Sequence, residues 1–258
     1  EGGEYDVYFD LLVDTPSAGA QTWIGTELSS ARRARVDDDR PIGASLDYRV
    51  QAGQAIEAKL GLSFVSVEQA RRNLREELPG WDFAQVRDAA VRQWDQALGR
   101  IEIPGADEVE RRKFYTALFH TMMMPADHSG ENPKWHSREP YYDAFQAIWD
   151  TFRSDGPLLT LIAPERERDI VRALIDIYRH TGYMPDARVG NDNGRTQGGS
   201  NADVLVADAY VKGLDGIDYA TGLAAMFKDA QVPPADPRKE GRGGLDTYNT
   251  LGYIAQPT

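Results

Sequence analysis

Trp149, Asp150 and Arg153 fall within one helical turn, so an aromatic face, a carboxylate acceptor and a forked guanidinium donor can converge on one spot. That trio suits a polyol. A sugar stacks its apolar face on an aromatic ring, while planar carboxylate, amide and guanidinium groups take paired hydroxyls. The same spacing also suits a core tryptophan beside a structural ion pair. Further on, Gly182 to Ser200 is a run of Gly, Asn, Asp, Arg and Gln between two expected helices, longer than compact domains tolerate unless the loop works or is disordered. It reads either as a site wall or as a solvated linker. Gly198 and Gly199 permit close backbone approach, and Ser200 or Asn201 can cap the next helix and leave its N-terminal amides facing a ligand.

Other chemistries find no support. The chain lacks the GxxxxGK phosphate loop, a GxGxxG turn after a strand, HExxH and the GxSxG elbow. The NDNG of Asn191 to Gly194 invites a calcium-loop reading, but setting Gly194 at the sixth position puts Val189 first and Ser200 twelfth, and neither is the carboxylate required. His120, His128, His136 and His180 are too widely spaced for a local metal pair and read as exposed or capping side chains. The absence of cysteine removes disulfides, zinc-thiolate sites, iron–sulfur clusters and thiol nucleophiles. A net charge of −12 argues against a sequence-independent nucleic-acid binder and against a basic membrane-surface protein. The apolar stretches are strand-length, so no membrane span is expected. The opening EGGEYDVYFD has neither a basic nor an apolar leader segment and reads as mature, processed or excised.

The elements that must position these residues come in two kinds. Up to Phe64 apolar residues alternate at period two: Tyr5, Val7, Phe9 and Leu11, then Ala44, Leu46, Tyr48 and Val50, then Ile56 to Phe64. Half-buried antiparallel strands follow from that pattern, in a region too small to close a sandwich with both edges protected. After Phe64 the period is helical. Ser66 with Gln69, Asp82 with Gln85, and Asp107 with Glu110 have capping-box spacing and mark three helix starts. The second of these helices carries Val86, Ala90, Trp94 and Leu98 on one face and is expected to end at a left-handed Gly99; the third carries Phe114, Ala117 and Leu118. Further helices are expected from about Ala144 to Phe152, Pro164 to Gly182, Asn201 to Gly213 and Asp218 to Ala230. Successive helices with short links build a bundle, solenoid or toroid, and no 34- or 40-residue repeat favours a regular array.

Several strings in this order resemble glycoside hydrolase family 92, the calcium-dependent, inverting, exo-acting α-mannosidases. They are GLSFVSVEQARRNLREELPGWDF (Gly61 to Phe83), FYTALFHTMMMP (Phe114 to Pro125), IWDTFRSDGPLLTL (Ile148 to Leu161), GYMPDAR (Gly182 to Arg188), TQGGSNAD (Thr196 to Asp203) and ADAYVKG (Ala207 to Gly213). The resemblance implies an α+β fold: the end of an N-terminal antiparallel β-sandwich, then the first half of an (α/α)6 helical toroid. Residues 1–65 would be a partial sandwich domain, 66–105 linking helices and 106–258 a partial catalytic domain. The family's later blocks, among them a GNEP-type segment with the expected general acid, are not in this sequence, and a toroid of twelve helices needs more than the ~150 residues after Ala106. The chain is therefore expected to be an interior segment whose partner is the remaining half of its own catalytic domain, with the catalytic carboxylates and most calcium ligands beyond Thr258. Within it, the resemblance assigns Trp149, Asp150, Arg153, Asp186, Arg188, Gln197, Asn201 and Asp203 to the walls of a mannose subsite, for stacking and hydroxyl recognition rather than proton transfer. A mannose-containing glycan, N-glycan processing and a secreted or periplasmic location are implied likewise. Ala187 departs from relatives that often carry Cys there. Two alternatives stay open: another (α/α)6 carbohydrate-active enzyme, or a non-catalytic carbohydrate-binding helical module.

Overall fold

The computed structural model describes residues 5–195 and 199–255, which divide into two compact units: Tyr8–Val86, and the remaining described residues. The division falls inside a helix, between Val86 and Arg87, whereas the resemblance implies boundaries at 65 and 105.

The first unit holds β1 (Tyr8–Val13), β2 (Gly19–Ile24), β3 (Glu27–Ser29), β4 (Ile42–Asp47), β5 (Ala58–Ser63) and α1 (Val67–Glu77). β1 pairs antiparallel with β5, and β2 lies between β3 and β4 in a second antiparallel sheet. The alternation expected from the sequence is present, but with the opposite face open. Phe9 opposite Leu62 and Leu11 opposite Leu60 form cross-strand pairs that are all exposed, Phe9 to 61%. The other face carries the buried Gly61 and Ser63, and α1 packs there through Ala70 and Leu74. A Cβ on Gly61 would lie 2.3 Å from the Ala70 carbonyl oxygen, so glycine is what allows this approach. Arg71 on α1 reaches Asp10 of β1 at 3.3 Å. Period two tells which residues share a face; the helix decides which face is covered.

The capping residues act largely as their spacing implies. Ser66 accepts from the Gln69 amide, Asp82 from the Gln85 amide, and Asp107 with Glu110 forms the full reciprocal box. They open α1, α2 (Phe83–Leu98) and α3 (Glu108–Thr121). Gly99 is a correction: it is not among the residues with positive φ, and its amide simply continues to the Asp95 carbonyl.

The second unit continues with β6 (Ala126–Asp127), β7 (Tyr142–Asp143), α4 (Ile148–Thr151), α5 (Asp155–Ile162), α6 (Pro164–Thr181), β8 (Arg188–Val189), β9 (Asp192–Asn193), α7 (Asn201–Val211), α8 (Tyr219–Gln231) and α9 (Leu245–Leu251). Its core centres on α6. That helix starts on Pro164, whose fixed φ suits the first turn, and stops where Gly182 turns left-handed at φ 92°. Between them Ile170, Val171, Leu174, Ile175 and Ile177 are buried against α5, α7 and α8. Each such aliphatic side chain is worth about 1.5–3 kcal/mol of burial. The expected helix from Ala144 to Phe152 is much shorter. Ala144 and Gln146 both take φ 56°, so the chain reaches Ile148 through left-handed steps and only one turn, α4, forms. No helix among the described residues is long and apolar enough to cross a membrane.

Candidate functional site

α4 is held by its buried end and offers its open one. Ile148 is fully buried, and its amide donates to the Asp186 carbonyl at 2.8 Å. The next residue, Trp149, is 42% exposed, and Asp150 is exposed beside it. Arg153 follows in the turn after α4, also exposed, its guanidinium 5.1 Å from the Phe152 ring centroid. An open aromatic ring, a carboxylate and a forked cation thus share one short stretch of surface. Asp186 is buried behind them and accepts from the Asn201 side-chain amide at 3.1 Å. Both ends of the long connection after Gly182 are therefore tied to the start of α4: one by the Asp186 carbonyl, the other through Asn201 at the head of α7. Gln197 lies outside the described residues.

The connection is not a structureless loop. Arg188 and Val189 pair with Asn193 and Asp192 in a tight hairpin, which turns on Gly190 (φ 66°) and Asn191 (φ 65°). Arg188 is 0% exposed and is spent on the protein. Its Nη1 donates to Asn193 Oδ1 at 2.8 Å, and its Nη2 donates to the Tyr141 hydroxyl at 2.9 Å and the Asn191 carbonyl at 2.7 Å. Nε lies 3.3 Å from Asp143 Oδ1, and the guanidinium carbon is 5.5 Å and 5.6 Å from the Trp135 and Tyr141 ring centroids. Asp143 Oδ2 in turn accepts the Gly190 and Asn191 amides at 2.9 and 3.3 Å. The resemblance assigns Arg188 to hydroxyl recognition; its enclosure instead makes it the pin of the hairpin. Trp135, which donates to Asp176 at 2.9 Å and stacks on His180, and Tyr141, whose ionisation burial pushes up against the pull of Arg188, complete this cluster. A single buried Arg in a polar string carries no sequence mark of such partners.

Asp203 is also enclosed. Arg242 Nη2 donates to its Oδ2 at 3.0 Å, and Arg242 Nε donates to the Ser200 hydroxyl. Asp229 on α8 is buried facing Asp203. Burial first, and the Asp203 charge second, push the Asp229 carboxyl well above the usual carboxylate range. Burial raises Asp203 as well, opposed by Asp229, Ser200 and Arg242. A second such group lies on α6. Glu167 is pushed up to about 8 by burial, then by Asp155 and Asp208, while burial lifts Asp155 to about 6. Sequence reasoning missed Glu167, Asp229 and Arg242. Glu167 shares the helical face of Ile170, Val171 and Leu174, and Asp229 that of Gly222 and Ala225, so an acid at a core position was a usable signal for both. Arg242 offered none.

Calcium takes six to eight oxygen ligands. Among the described residues no group of three or more His, Asp or Glu is placed to hold a metal ion.

Residues 69–258 match the model of the Glycosyl hydrolase family 92 catalytic domain. A protein of Arthroderma benhamiae named an uncharacterized secreted glycosidase is 39% identical over 204 residues, covering 77% of this chain and 23% of that protein. Among solved structures, a family 92 inverting mannosidase of Bacteroides thetaiotaomicron matches with a TM-score of 0.87 at 30% identity, over 98% of this chain and 35% of the other. A family 92 α-mannosidase from the same organism has a TM-score of 0.81 at 23% identity over 98% of this chain and 35% of that one, a likeness of fold. The chain thus spans about a quarter of the curated relative and about a third of the solved ones. Its α+β architecture is that of those enzymes, and with most of its residues inside the family match, the chain belongs to glycosyl hydrolase family 92.

Proposed function

We propose that the polypeptide bearing this chain is an exo-acting α-mannosidase that releases terminal mannose from glycans with inversion, and that this chain supplies one wall of its mannose subsite. The observation that carries the reading is the open Trp149–Asp150–Arg153 face formed by α4 and the turn after it, in a chain whose 30%-identical relative is named an inverting mannosidase. Trp149 stacks on the sugar's apolar face, and Asp150 and Arg153 take its hydroxyls. Asp186 and Asn201 hold that face in place from behind. The strand unit is the end of an N-terminal sandwich and the helical unit the first half of an (α/α)6 toroid in the same proposal.

Inverting hydrolysis needs one carboxylic acid to protonate the glycosidic oxygen as its bond to the anomeric carbon breaks. A second carboxylate takes a proton from the water that bonds to that carbon on the opposite face, the two carboxyl groups standing about 6.5–9.5 Å apart. In this proposal both come from outside this chain. Calcium is part of the proposal with ligands drawn from outside it too, and the stacking and hydroxyl contacts of Trp149, Asp150 and Arg153 do not depend on the ion. Secretion is supported by the name of the Arthroderma benhamiae relative.

The test is the full-length protein on 4-nitrophenyl α-mannoside and on the corresponding glucoside and galactoside, with the first-formed anomer followed by NMR. β-Mannose released first, activity lost on chelation and restored by calcium support the proposal. Turnover of another α-glycoside in place of the mannoside points to a different (α/α)6 carbohydrate-active enzyme, and mannose binding without turnover to a carbohydrate-binding module.

A further inference from the structure

The subsite face stands on a four-residue helix with no side-chain cap at Ala147, its N-terminal residue outside the turn. A helix so short has little intrinsic stability, so its orientation must come from what grips its start. That grip can be followed outward. Ile148 donates to the Asp186 carbonyl; Asp186 accepts from Asn201; and Asn201 opens α7, whose first turn also carries Ser200 and Asp203. Ser200, at the N-cap position, makes no side-chain cap hydrogen bond to the helix; its hydroxyl accepts from Arg242 instead. Arg242 comes from the segment between α8 and α9, 42 residues from Ser200 and 39 from Asp203, and spans both with one guanidinium.

We infer that Arg242 is a positioning residue for the sugar subsite, clamping the first turn of α7 and, through Asn201 and Asp186, setting the start of α4, which carries Trp149 and Asp150 and leads into Arg153. The inference rests on the mannoside reading of that face. The planar fork suits the task because Nε and Nη2 address two acceptors at a fixed spacing, which an ammonium cannot reproduce. The charge has a second effect. Asp203 on α7 and Asp229 on α8 are both buried, with Lys228 on α8 and Tyr183 also near Asp229 and Glu240 near Tyr183, and Arg242 is the cation bonded to Asp203. Removing it leaves the buried Asp203 without the cation bonded to it, so truncation alone confounds clamping with folding.

The experiment therefore uses the full-length protein with Arg242→Lys, which keeps the charge and loses the fork, together with Asn201→Ala and the double variant. Steady-state hydrolysis of 4-nitrophenyl α-mannoside is measured beside thermal unfolding. The expected result is an Arg242→Lys loss of about tenfold or more in kcat/KM with the melting temperature nearly held, since small misplacements of a binding group are costly. The double variant should be no worse than Asn201→Ala, because residues in one chain of contacts do not act additively. Arg242→Lys with unaltered kinetics, or losses in the double variant that multiply, overturn the inference while the mannosidase reading stands. A wild-type protein that leaves α-mannosides intact overturns that reading and the inference with it.

Discussion

Glu167 sits on the buried face of α6, and burial, with Asp155 and Asp208 nearby, lifts its carboxyl to about 8. The folded state therefore holds a proton that the unfolded chain releases near the ordinary value of 4.5. The resulting stability is fully present below that value and is lost as pH rises through about 8. Asp229, raised by burial and by the Asp203 charge, acts in the same direction. Glu167→Gln, which keeps the shape and cannot ionise, should flatten the fall in melting temperature between pH 5 and pH 8.5, by on the order of 2–4 °C for each kcal/mol of proton linkage removed. Equal slopes for variant and wild type in a pH series of thermal melts would contradict this. Arg188 makes the opposite kind of prediction. Its loss leaves Asp143 buried without its cation, so Arg188→Met should cost about 3–5 kcal/mol in denaturant unfolding, and an unchanged midpoint would argue against the pin.

Among the elements, β5 and α1 approach each other closely. Gly61→Val would drive a branched side chain into the Ala70 carbonyl and Leu74, so α1 must lift from the sheet at a cost of about 1–3 kcal/mol or more, read as a lowered midpoint in chemical denaturation. The same pair shows what the sequence could and could not disclose. The register partners Phe9 and Leu62 were legible as strand residues of one face, yet the alternation was silent on whether a helix would cover that face or the glycine-bearing one. Helices with a local signal were legible where that signal lay: α3 at its start from the Asp107–Glu110 box, and α6 almost to the residue from Pro164 to Gly182. α4 was not, because the left-handed Ala144 and Gln146 that shorten it carry no mark in residue type. The site divides in the same way. Trp149, Asp150 and Arg153 could be grouped because their spacing is local, whereas the enclosure of Arg188 and the reach of Arg242 to Asp203 depend on contacts across 47 and 39 positions. Long-range partners leave no periodicity to read.

At the scale of the molecule, large apolar side chains stand open on both units: Phe9, Leu60 and Leu62 on β1 and β5, and Val211, Leu223 and Phe227 on α7 and α8. Open apolar area on this scale favours association. The isolated chain should therefore self-associate with concentration and melt broadly; a sharp, concentration-independent monomeric melt in light scattering and calorimetry would contradict that. The central claim is that the first turn of α4 grips the terminal mannose. Steady-state kinetics of full-length Trp149→Ala on 4-nitrophenyl α-mannoside address it most directly. Trp149 is half open and adds little to the core, so the account predicts a kcat/KM lower by on the order of a hundredfold with the melting temperature preserved. Wild-type kinetics in that variant would show that the sugar is held elsewhere.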